Sequence, residues 1–454
     1  MNKLRQVTFN AMCLLAAFLP AATAMDTMEI IVDASSDGKY YESVYGLSEI
    51  GEIKPRSAAE LISDAAGLNI TSKSFPLLQA HARVNGGSFE QVLIFLDGFR
   101  MNSVQTGHYN FDLPVTMLDI AAAGVSGRAG YGAFSGFVDL MTIRHEKDAL
   151  RAAAEYGSYD TWYSAFSGTK VIGDFSATLS AENSGSAGYH KATDYLAGTY
   201  FMKLENRSFG YNSLSAGYSE KDYGAFDFYT PGKNLPSREY VSTRYAKIES
   251  EPFDFLSAEA HVKSHYDHFI LNADNPVYQN RHTEWVYGGS VKGEYRFSEG
   301  LLAQLSYAFD REEILSSKLG TRSRNRHAAD LTCGYEFESL TLTGSLGTEK
   351  YDVYPGFETL RSASATYRIS EEISLKAWLG RGIRYPNFTE LYYSDPYTVG
   401  NAGLDPELCD DYGAGADFNT GTVNARVSAI FRNAFGLIDW GKESPSDTYW
   451  QAKN

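Results

Sequence analysis

From about residue 148 to the end of the chain, apolar and polar positions alternate with a period of two, as in strands that face a different environment on each side. In 256–267, Leu256, Ala258, Ala260, Val262 and Tyr266 share one face, and Ser257, Glu259, His261, Lys263, His265 and Asp267 share the other. Residues 291–297 set Val291, Gly293, Tyr295 and Phe297 against Lys292, Glu294 and Arg296. The scheme recurs with Leu301, Ala303, Leu305, Tyr307 and Phe309, and again with Ile373, Leu375, Ala377 and Leu379. About sixteen strands fit between 148 and 454, roughly one per 19 residues with its turn.

The connections differ in length. Ile369-Ser370-Glu371-Glu372-Ile373 and Phe297-Ser298-Glu299-Gly300-Leu301 leave about three residues between long strands. Segments 222–240, 271–282, 314–326 and 384–408 read as long loops. A soluble sandwich also alternates, with its apolar face against a second sheet. Short turns at one end and long loops at the other favour a transmembrane antiparallel β-barrel, whose ladder satisfies backbone polar groups in lipid.

Ahead of this region the pattern changes. Val92-Leu93-Ile94-Phe95-Leu96 reads as a buried strand closed by an Asp97-Gly98 turn. Asp112-Leu113-Pro114-Val115 follows, then a glycine-dense stretch over 124–136 and a last strand over 137–143. Ser57-Ala58-Ala59-Glu60 is a capping box, and Leu61, Ile62 and Ala65 give the following helix an apolar face until Gly67 ends it. Asn69-Ile70-Thr71 leads into another strand. A small α+β domain over 41–146 is therefore expected before a barrel over 147–454.

At the N-terminus, Lys3 and Arg5 precede the apolar run 9–18, then Pro20 and Ala22-Thr23-Ala24. This is a secretory signal over 1–24, shorter than the ~20 apolar residues of a spanning helix. Cys13 lacks the small residues that precede a lipidated cysteine. Next, Glu29-Ile30-Ile31-Val32-Asp33-Ala34 is a short apolar run within a polar segment, 25–40, able to add a strand to a partner's sheet edge or to start the domain that follows.

Composition agrees. Thirty-two tyrosines in 454 residues suit the interface girdles of a barrel, where a ring is half apolar and half wet. Without its leader the chain carries a net charge of about −18, which excludes nucleic acid as a partner. Cys333 and Cys409 are far apart and have no metal-like spacing.

Known chemical motifs are missing. Gly127, Gly130, Gly132 and Gly136 fit neither a dinucleotide nor a phosphate loop, and instead let the backbone pass close to itself. There is no H-E-x-x-H, C-x-x-C or G-x-S-x-G. His261 and His265 lie on the polar face of their strand and His268 on the other, so they read as lumen or rim side chains.

The order of segments from Val92 to Ile143 resembles the plug domain of a TonB-dependent outer-membrane receptor. Phe99-Arg100-Met101-Asn102 after Asp97-Gly98 matches the family's DG-x-R-x-N element, and Tyr131-Gly132 with Gly136-Phe137-Val138 matches its glycine segment. Arg384-Tyr385-Pro386-Asn387-Phe388-Thr389-Glu390-Leu391-Tyr392, followed by Gly400-Asn401-Ala402-Gly403-Leu404-Asp405-Pro406-Glu407, is similar to its barrel signature. In this reading Pro386 fixes the strand exit, Gly403 permits a tight reversal, and Asp405-Pro406-Glu407 begins the next strand. Phe431-Arg432-Asn433 and Leu437-Ile438-Asp439-Trp440 resemble the following strand pair of cobalamin-receptor-like members, and 222–229 resembles one of their loops. The chain departs from the family at His81-Ala82-Arg83-Val84-Asn85-Gly86-Gly87, where Ile-Arg-Gly is usual, and at 118–127, which lacks the usual Arg-Gly-Pro and second glutamate. Those losses remove charges expected to pair plug with wall.

The resemblance implies a 22-strand pattern with five or six final strands missing here, since Trp450-Gln451-Ala452-Lys453-Asn454 ends polar where the family ends on an aromatic. It implies import of a scarce, bulky ligand, cobalamin or a metal chelate such as a siderophore, across the outer membrane of a Gram-negative bacterium. Glu29, Ile30, Ile31, Val32, Asp33 and Ala34 would be the box gripped by a TonB-type periplasmic transducer, with no ATP site needed and outer-membrane lipid around the wall. Ligand contacts are expected from the plug apex (Arg100, Asn102, Tyr109) and from Tyr229, Tyr278, Tyr392, Tyr393 and Tyr397. No resident cofactor is expected. Gly188-Tyr189 and Thr193-Asp194 weakly resemble a calcium-ordered loop, which makes Asp194 the one metal candidate. The alternatives are a non-functional receptor fragment, a barrel enzyme or an adhesin, and the last two have no use for a plug.

Overall fold

The computed structural model describes residues 41, 43–75, 77–130 and 132–454. The expected leader, residues 1–24, and the box 29–34 lie outside them. Sequential antiparallel strands from Ala149–Gly157 to Asn424–Phe435 form a fifteen-stranded sheet. Its alternation is inverted relative to a water-soluble protein. On Leu256–Ile270, Val262 is 46% exposed while Lys263 is 2% exposed, and on Leu301–Ser316 and Leu340–Tyr351, Leu305 and Leu346 are 60% and 61% exposed. Apolar side chains point outward and charged ones inward, as a wall in lipid requires. The expected short turns hold: Arg296 and Leu301, and Arg368 and Ile373, flank tight hairpins.

One expectation about the wall needs correction. Segment 314–326 is not a long loop, because Leu301–Ser316 and Gly320–Glu336 pair until Ser316 faces Gly320. Ile314 and Leu319 are buried against Val104 and Phe388, so the ladder continues beyond the level where polar composition suggests it stops. Among the described residues the wall has fifteen strands, in keeping with the about sixteen expected. Residues 437–454 instead form Asp439–Gly441 and Trp450–Lys453, which pair with Thr398–Val399 in a separate three-stranded sheet. The polar turn between them closes where Asp447 accepts from the amides of Glu443 and Ser444.

The inner domain is a five-stranded sheet in the order Ser43–Tyr45, Ile120–Ser126, Gly136–Thr142, Val92–Leu96, Phe99–Arg100, with a hairpin of Leu68–Ser72 and Ala80–Val84 beside it. Val92–Leu96 runs parallel to Gly136–Thr142 and is largely buried, which explains its unbroken apolar run. Asp97 and Gly98 have φ of 48° and 78°, the left-handed pair of a two-residue hairpin. The Asp97 carboxylate accepts from Thr142 N at 2.7 Å and Thr142 Oγ1 at 2.6 Å. The expected helix is shorter than its apolar face suggests. Ser57 caps only Ala58–Leu61, and the Glu60 carboxylate returns to Arg56 N rather than to the cap. A second helix, Leu47–Ile53, follows Gly46, whose amide donates to Glu49.

This domain fills the wall. Four lysines on the wall's inner face, all under 7% exposed, donate to its backbone. Lys203 reaches Ile143 O, Lys221 reaches Leu77 O, Lys247 reaches Asp97 O and Lys263 reaches Met101 O and Asn102 O. Carboxylates accept from its amides in return: Glu182 from Met117, Glu284 from Val104 and Gln105, and Asp411 from Ala129. Where plug charges were expected at 118–127, the wall supplies them. Arg432 donates to Gly127 O at 3.1 Å and to Asp411 at 3.1 Å.

Backbone approach matters here too. A Cβ on Gly382 would sit 2.0 Å from Ala133 O, and one on Gly380 would sit 2.1 Å from Ala129 O, so these wall glycines admit the plug main chain. Among the plug glycines, Gly136 passes Ser126 O as expected, while Gly130 and Gly132 lie against wall residues Ser362 and Glu349.

Gly382→Ala should therefore unseat the 129–135 segment at a cost of about 1–3 kcal/mol. Hydrogen exchange across 129–135 should accelerate in Gly382→Ala and not in Gly334→Ala, whose added Cβ meets nothing within 4 Å. Equal exchange in the two variants would show that the glycine is not a contact requirement.

Candidate functional site

The long loops gather at the end of the wall opposite the short turns, over the plug apex. The signature 384–407 builds the most ordered of them. Arg384 leaves its strand between two carboxylates, bonding Glu407 at 2.5 Å and Glu390 at 2.8 Å. Asn387 and Glu390 form a reciprocal capping box that starts Phe388–Tyr392. Phe388 N and Thr389 N donate to Val104 O and Gln105 O, so this short helix sits directly on the apex. Glu407 also accepts from Gln91 of the plug at 2.8 Å. Gly403 does not make the reversal through a left-handed φ; its amide donates to Asn401 Oδ1 at 2.9 Å, and the asparagine forms the turn.

Between apex and wall lies a narrow polar cleft lined among others by Glu90, Arg100, Asn102, Ser103, Glu312, Arg324 and Tyr385. Arg324 bonds Glu312 at 2.6 Å and Pro386 O at 2.6 Å, and Tyr351 donates to Glu312 at 2.7 Å. Arg100 reaches into this region, 3.8 Å from Glu349. Burial, with Glu390 adding, pushes the Glu90 carboxyl up to about 7 against the pull of Arg384.

The predicted contact residues divide into three kinds. Tyr278, Tyr392 and Tyr393 converge. Tyr278 OH lies 3.3 Å from Tyr393 OH, Tyr278 donates to Asp395 at 3.2 Å, and the Arg322 guanidinium lies 4.4 Å over the Tyr392 ring. Tyr397 is 70% exposed in the same loop. Tyr229 stands apart, its hydroxyl accepting from Gln79 at 2.7 Å and its ring beneath the Lys73 ammonium at 4.6 Å.

Two apex residues also hold the fold together. Asn102 bridges Ile94 N and Val92 O at 2.9 Å each, forming a rung of the plug sheet. Tyr109 is buried, its hydroxyl 2.7 Å from Glu239 Oε1 and 2.8 Å from Asp267 Oδ2, donating its one proton to either carboxylate. Burial, with Asp267 and Glu239, raises its phenol well above the ordinary value, so it remains a donor tying plug to wall. Asp194 is also accounted for: Arg238 bonds it at 3.2 Å and Asp222 at 2.7 Å, a guanidinium where a cation was envisaged. Among the described residues no group of three or more His, Cys, Asp or Glu is arranged to hold a metal.

Sequence reasoning missed one pair. His81 Nε2 and His108 Nδ1 lie 2.8 Å apart beside Tyr229, with the Phe89 ring stacked on both. Burial, then Lys73 and Arg83, push His81 down to about 4. Burial, then His81 and Lys73, hold His108 well below its usual value. Both are neutral near pH 7. Twenty-seven residues separate them, so no local spacing announces the pair.

Comparison with known proteins places this geometry. Residues 92–446 match the family described as TonB dependent receptor-like, beta-barrel. The chain is 23% identical over 431 residues to the vitamin B12 transporter BtuB of Photobacterium profundum, covering 89% of this chain and 68% of the relative. It is 23% identical over 455 residues to the BtuB of Vibrio vulnificus, covering 91% and 70%. In fold it is similar to the Serratia marcescens hemophore receptor HasR, solved as a double mutant with its hemophore HasA and heme, with TM-score 0.73, 14% identity and coverage of 91% and 76%. The Pseudomonas aeruginosa siderophore receptor PirA gives TM-score 0.71, 15% identity and coverage of 91% and 79%.

Two outcomes follow from the site itself. Arg384→Met leaves Glu390 and Glu407 buried without their cation, a loss of about 3–5 kcal/mol. Limited proteolysis should cut 385–406 in that variant under conditions that spare the parent, and equal cleavage would remove the clamp. Acid should act through the histidines. Their folded values lie below the unfolded value near 6.5, so their contribution is full above about 6.5 and is lost as pH falls toward about 4. Glu90 works in the opposite sense, since a raised folded value stabilises below about 4.5 and fades as pH rises through about 7. Protection at 80–84 and 107–109, measured against the intrinsic exchange rate at each pH, should therefore fall between pH 7 and 5, and more steeply in Glu90→Gln.

Proposed function

The chain belongs to the TonB-dependent receptor-like β-barrel family, and on that premise we propose that it binds a scarce, bulky ligand at the outer membrane of a Gram-negative bacterium and imports it into the periplasm with TonB-transduced energy. One observation carries the reading: an inverted wall encloses an inner domain and holds it through wall side chains bonded to plug backbone. Such a domain can be shifted, because each bond released inside a hydrated lumen is exchanged for one to water. A porin, a barrel enzyme or an adhesin gains nothing from it.

The ligand class is cobalamin or a metal chelate. The two BtuB relatives support the first, and the hemophore and siderophore receptors of like fold support the second. We assign ligand contact to Arg100, Asn102, Tyr229, Tyr278, Tyr392, Tyr393 and Tyr397, the predicted residues that line the cleft or the loops. Residues 1–24 act as the export signal, 25–40 as the coupling segment with its box at 29–34, 41–146 as plug and 147–454 as barrel. TonB grips the box and pulls. No catalytic step is assigned.

The test is uptake by cells making this chain. Labelled cobalamin and labelled ferric chelates should be compared for binding and for energy-dependent accumulation. Deleting 29–34 should abolish accumulation and leave binding within about twofold. Accumulation that survives the deletion would refute the coupling assignment; binding of neither class would refute the ligand class.

A further inference from the structure

The wall turns most of its charge inward, so an ion cluster on its lipid side calls for a reason. Arg361 on Glu358–Arg368, Arg381 on Ile373–Arg384 and Asp410 on Glu407–Asn419 stand in one row of the ladder, Arg361 opposite Arg381 and Arg381 opposite Asp410. Their neighbours fix the direction in which they point. A Cβ on Gly380 or Gly382 would strike plug carbonyls, Ser362 lies against plug Gly130, and Asp411 accepts from Ala129 N, so those positions face the lumen. Strand alternation turns Arg361, Arg381 and Asp410 the other way. At ~3.3 Å per residue and a tilt of ~40°, the run from Ile373 to Arg381 climbs roughly 20 Å, close to the ~25 Å height of a barrel's apolar band. Below and beside the row, Leu342, Leu346, Leu375, Leu379 and Phe431 are apolar and exposed. The cluster therefore marks the level where hydrocarbon gives way to headgroups.

The row carries a surplus of positive charge. Arg381 engages both oxygens of Asp410, at 2.8 and 2.7 Å. Arg361 comes second, 3.6 Å from the same carboxylate and with its side chain 54% exposed. Glu358, the next acid along that strand, belongs to the inward rank, opposite buried Glu349. Lys350, on the outward rank of Leu340–Tyr351 and nearer the loops, adds a further cation, its ammonium 4.9 Å over the Phe357 ring. By contrast Arg311, also on the lipid side, is balanced by Glu313 at 2.7 Å. In a chain with a net charge of −16, Lys350, Arg361 and Arg381 against one aspartate are a local reversal of sign. A cation at the edge of hydrocarbon is stabilised when an anionic headgroup meets it.

We propose that Arg361, with Arg381 beside it and Lys350 toward the loops, binds the phosphate of an anionic outer-leaflet lipid whose acyl chains lie along Leu346 and Leu379. Asp410 orients Arg381 and leaves the planar fork of Arg361 to the phosphate, whose oxygens it matches. The exposed leucines select a lipid over free phosphate, since only a lipid covers them. This rests on the reading of the wall as embedded in lipid and adds the class of lipid held there; it does not depend on which ligand is imported.

The test titrates the full chain in a non-ionic detergent with diphosphoryl lipid A, with the same lipid stripped of both phosphates, and with inorganic phosphate, counting bound lipid by native mass spectrometry. The diphosphoryl lipid should bind about tenfold or more tightly than the stripped one, and inorganic phosphate in large excess should not displace it. Arg361→Gln should weaken the diphosphoryl lipid about fivefold, while Arg311→Gln should leave it within about twofold. Equal binding of the two lipids, unchanged binding in Arg361→Gln, or displacement by inorganic phosphate would each overturn the proposal. The comparison of lipids on the unmodified chain decides the matter even if a variant misfolds. Equal binding of both lipids would sink this inference alone. A chain that stays dissolved when the detergent is removed and binds neither lipid would sink the lipid-embedded reading with it.

Discussion

The structure depends on a reciprocity between a charged lumen and an irregular backbone. A wall that shows apolar side chains to lipid must turn its other face inward, and here that face carries Lys203, Lys221, Lys247, Lys263, Glu182, Glu284 and Asp411. Buried charges without partners cost several kcal/mol each, and so do buried amides and carbonyls. The plug supplies the second set and the wall the first. Lys263 is the clearest case, donating to the successive carbonyls of Met101 and Asn102 while lying 3.1 Å from Glu284, which accepts from the amides of Val104 and Gln105. Neither part satisfies its polar groups alone, so the inner domain is a structural requirement of this wall as well as an obstruction in it.

The signature around Arg384 extends that reciprocity to the outer loops. Glu407 is shared between Arg384, Gln91 of the plug and Ile438 N, so loop, plug and the strands beyond 437 meet at one carboxylate. Phe388–Tyr392 bonds to the apex backbone through its first two amides. A ligand that shifted 385–406 would therefore load Gln91, one residue before the central plug strand Val92–Leu96. The coupling runs through hydrogen bonds and short elements, so it can be transmitted without repacking the apolar core.

Period two was the most legible feature of the sequence, because lipid on one side and charge on the other impose it on each strand independently. Hairpins such as 297–301 were legible for the same reason. The strand ends were not. Segment 314–326 carries Lys318, Arg322 and Arg324, which read as loop, yet Arg324 points inward to Glu312 and the ladder persists. The apex shows the same limit at the level of single residues. Arg100 and Asn102 belong to the DG-x-R-x-N element and Tyr109 follows it closely, but Asn102 bonds its own sheet and the Tyr109 hydroxyl lies against two wall carboxylates. What separates them is a partner 130 or more residues away for Tyr109 and a register eight residues back for Asn102, and neither is a property of local sequence. The His81–His108 pair was hidden for the same reason.

The topology also bears on how a pull from the N-terminal side would act. Ser43–Tyr45 is the edge of the plug sheet and pairs with Ile120–Ser126 over three residues only. Ile120–Ser126 is gripped next by Gly136–Thr142 over six registered pairs, and Val92–Leu96 lies beyond it. Force entering ahead of residue 43 would meet this three-residue pairing before the six-pair one behind it. Behind it stand the lysine and carboxylate contacts to the wall, which are stronger individually but exchange for water once the sheet has loosened. The registered pairing thus lengthens from the edge strand inward, with the central strands Gly136–Thr142 and Val92–Leu96 held furthest from the N-terminal side.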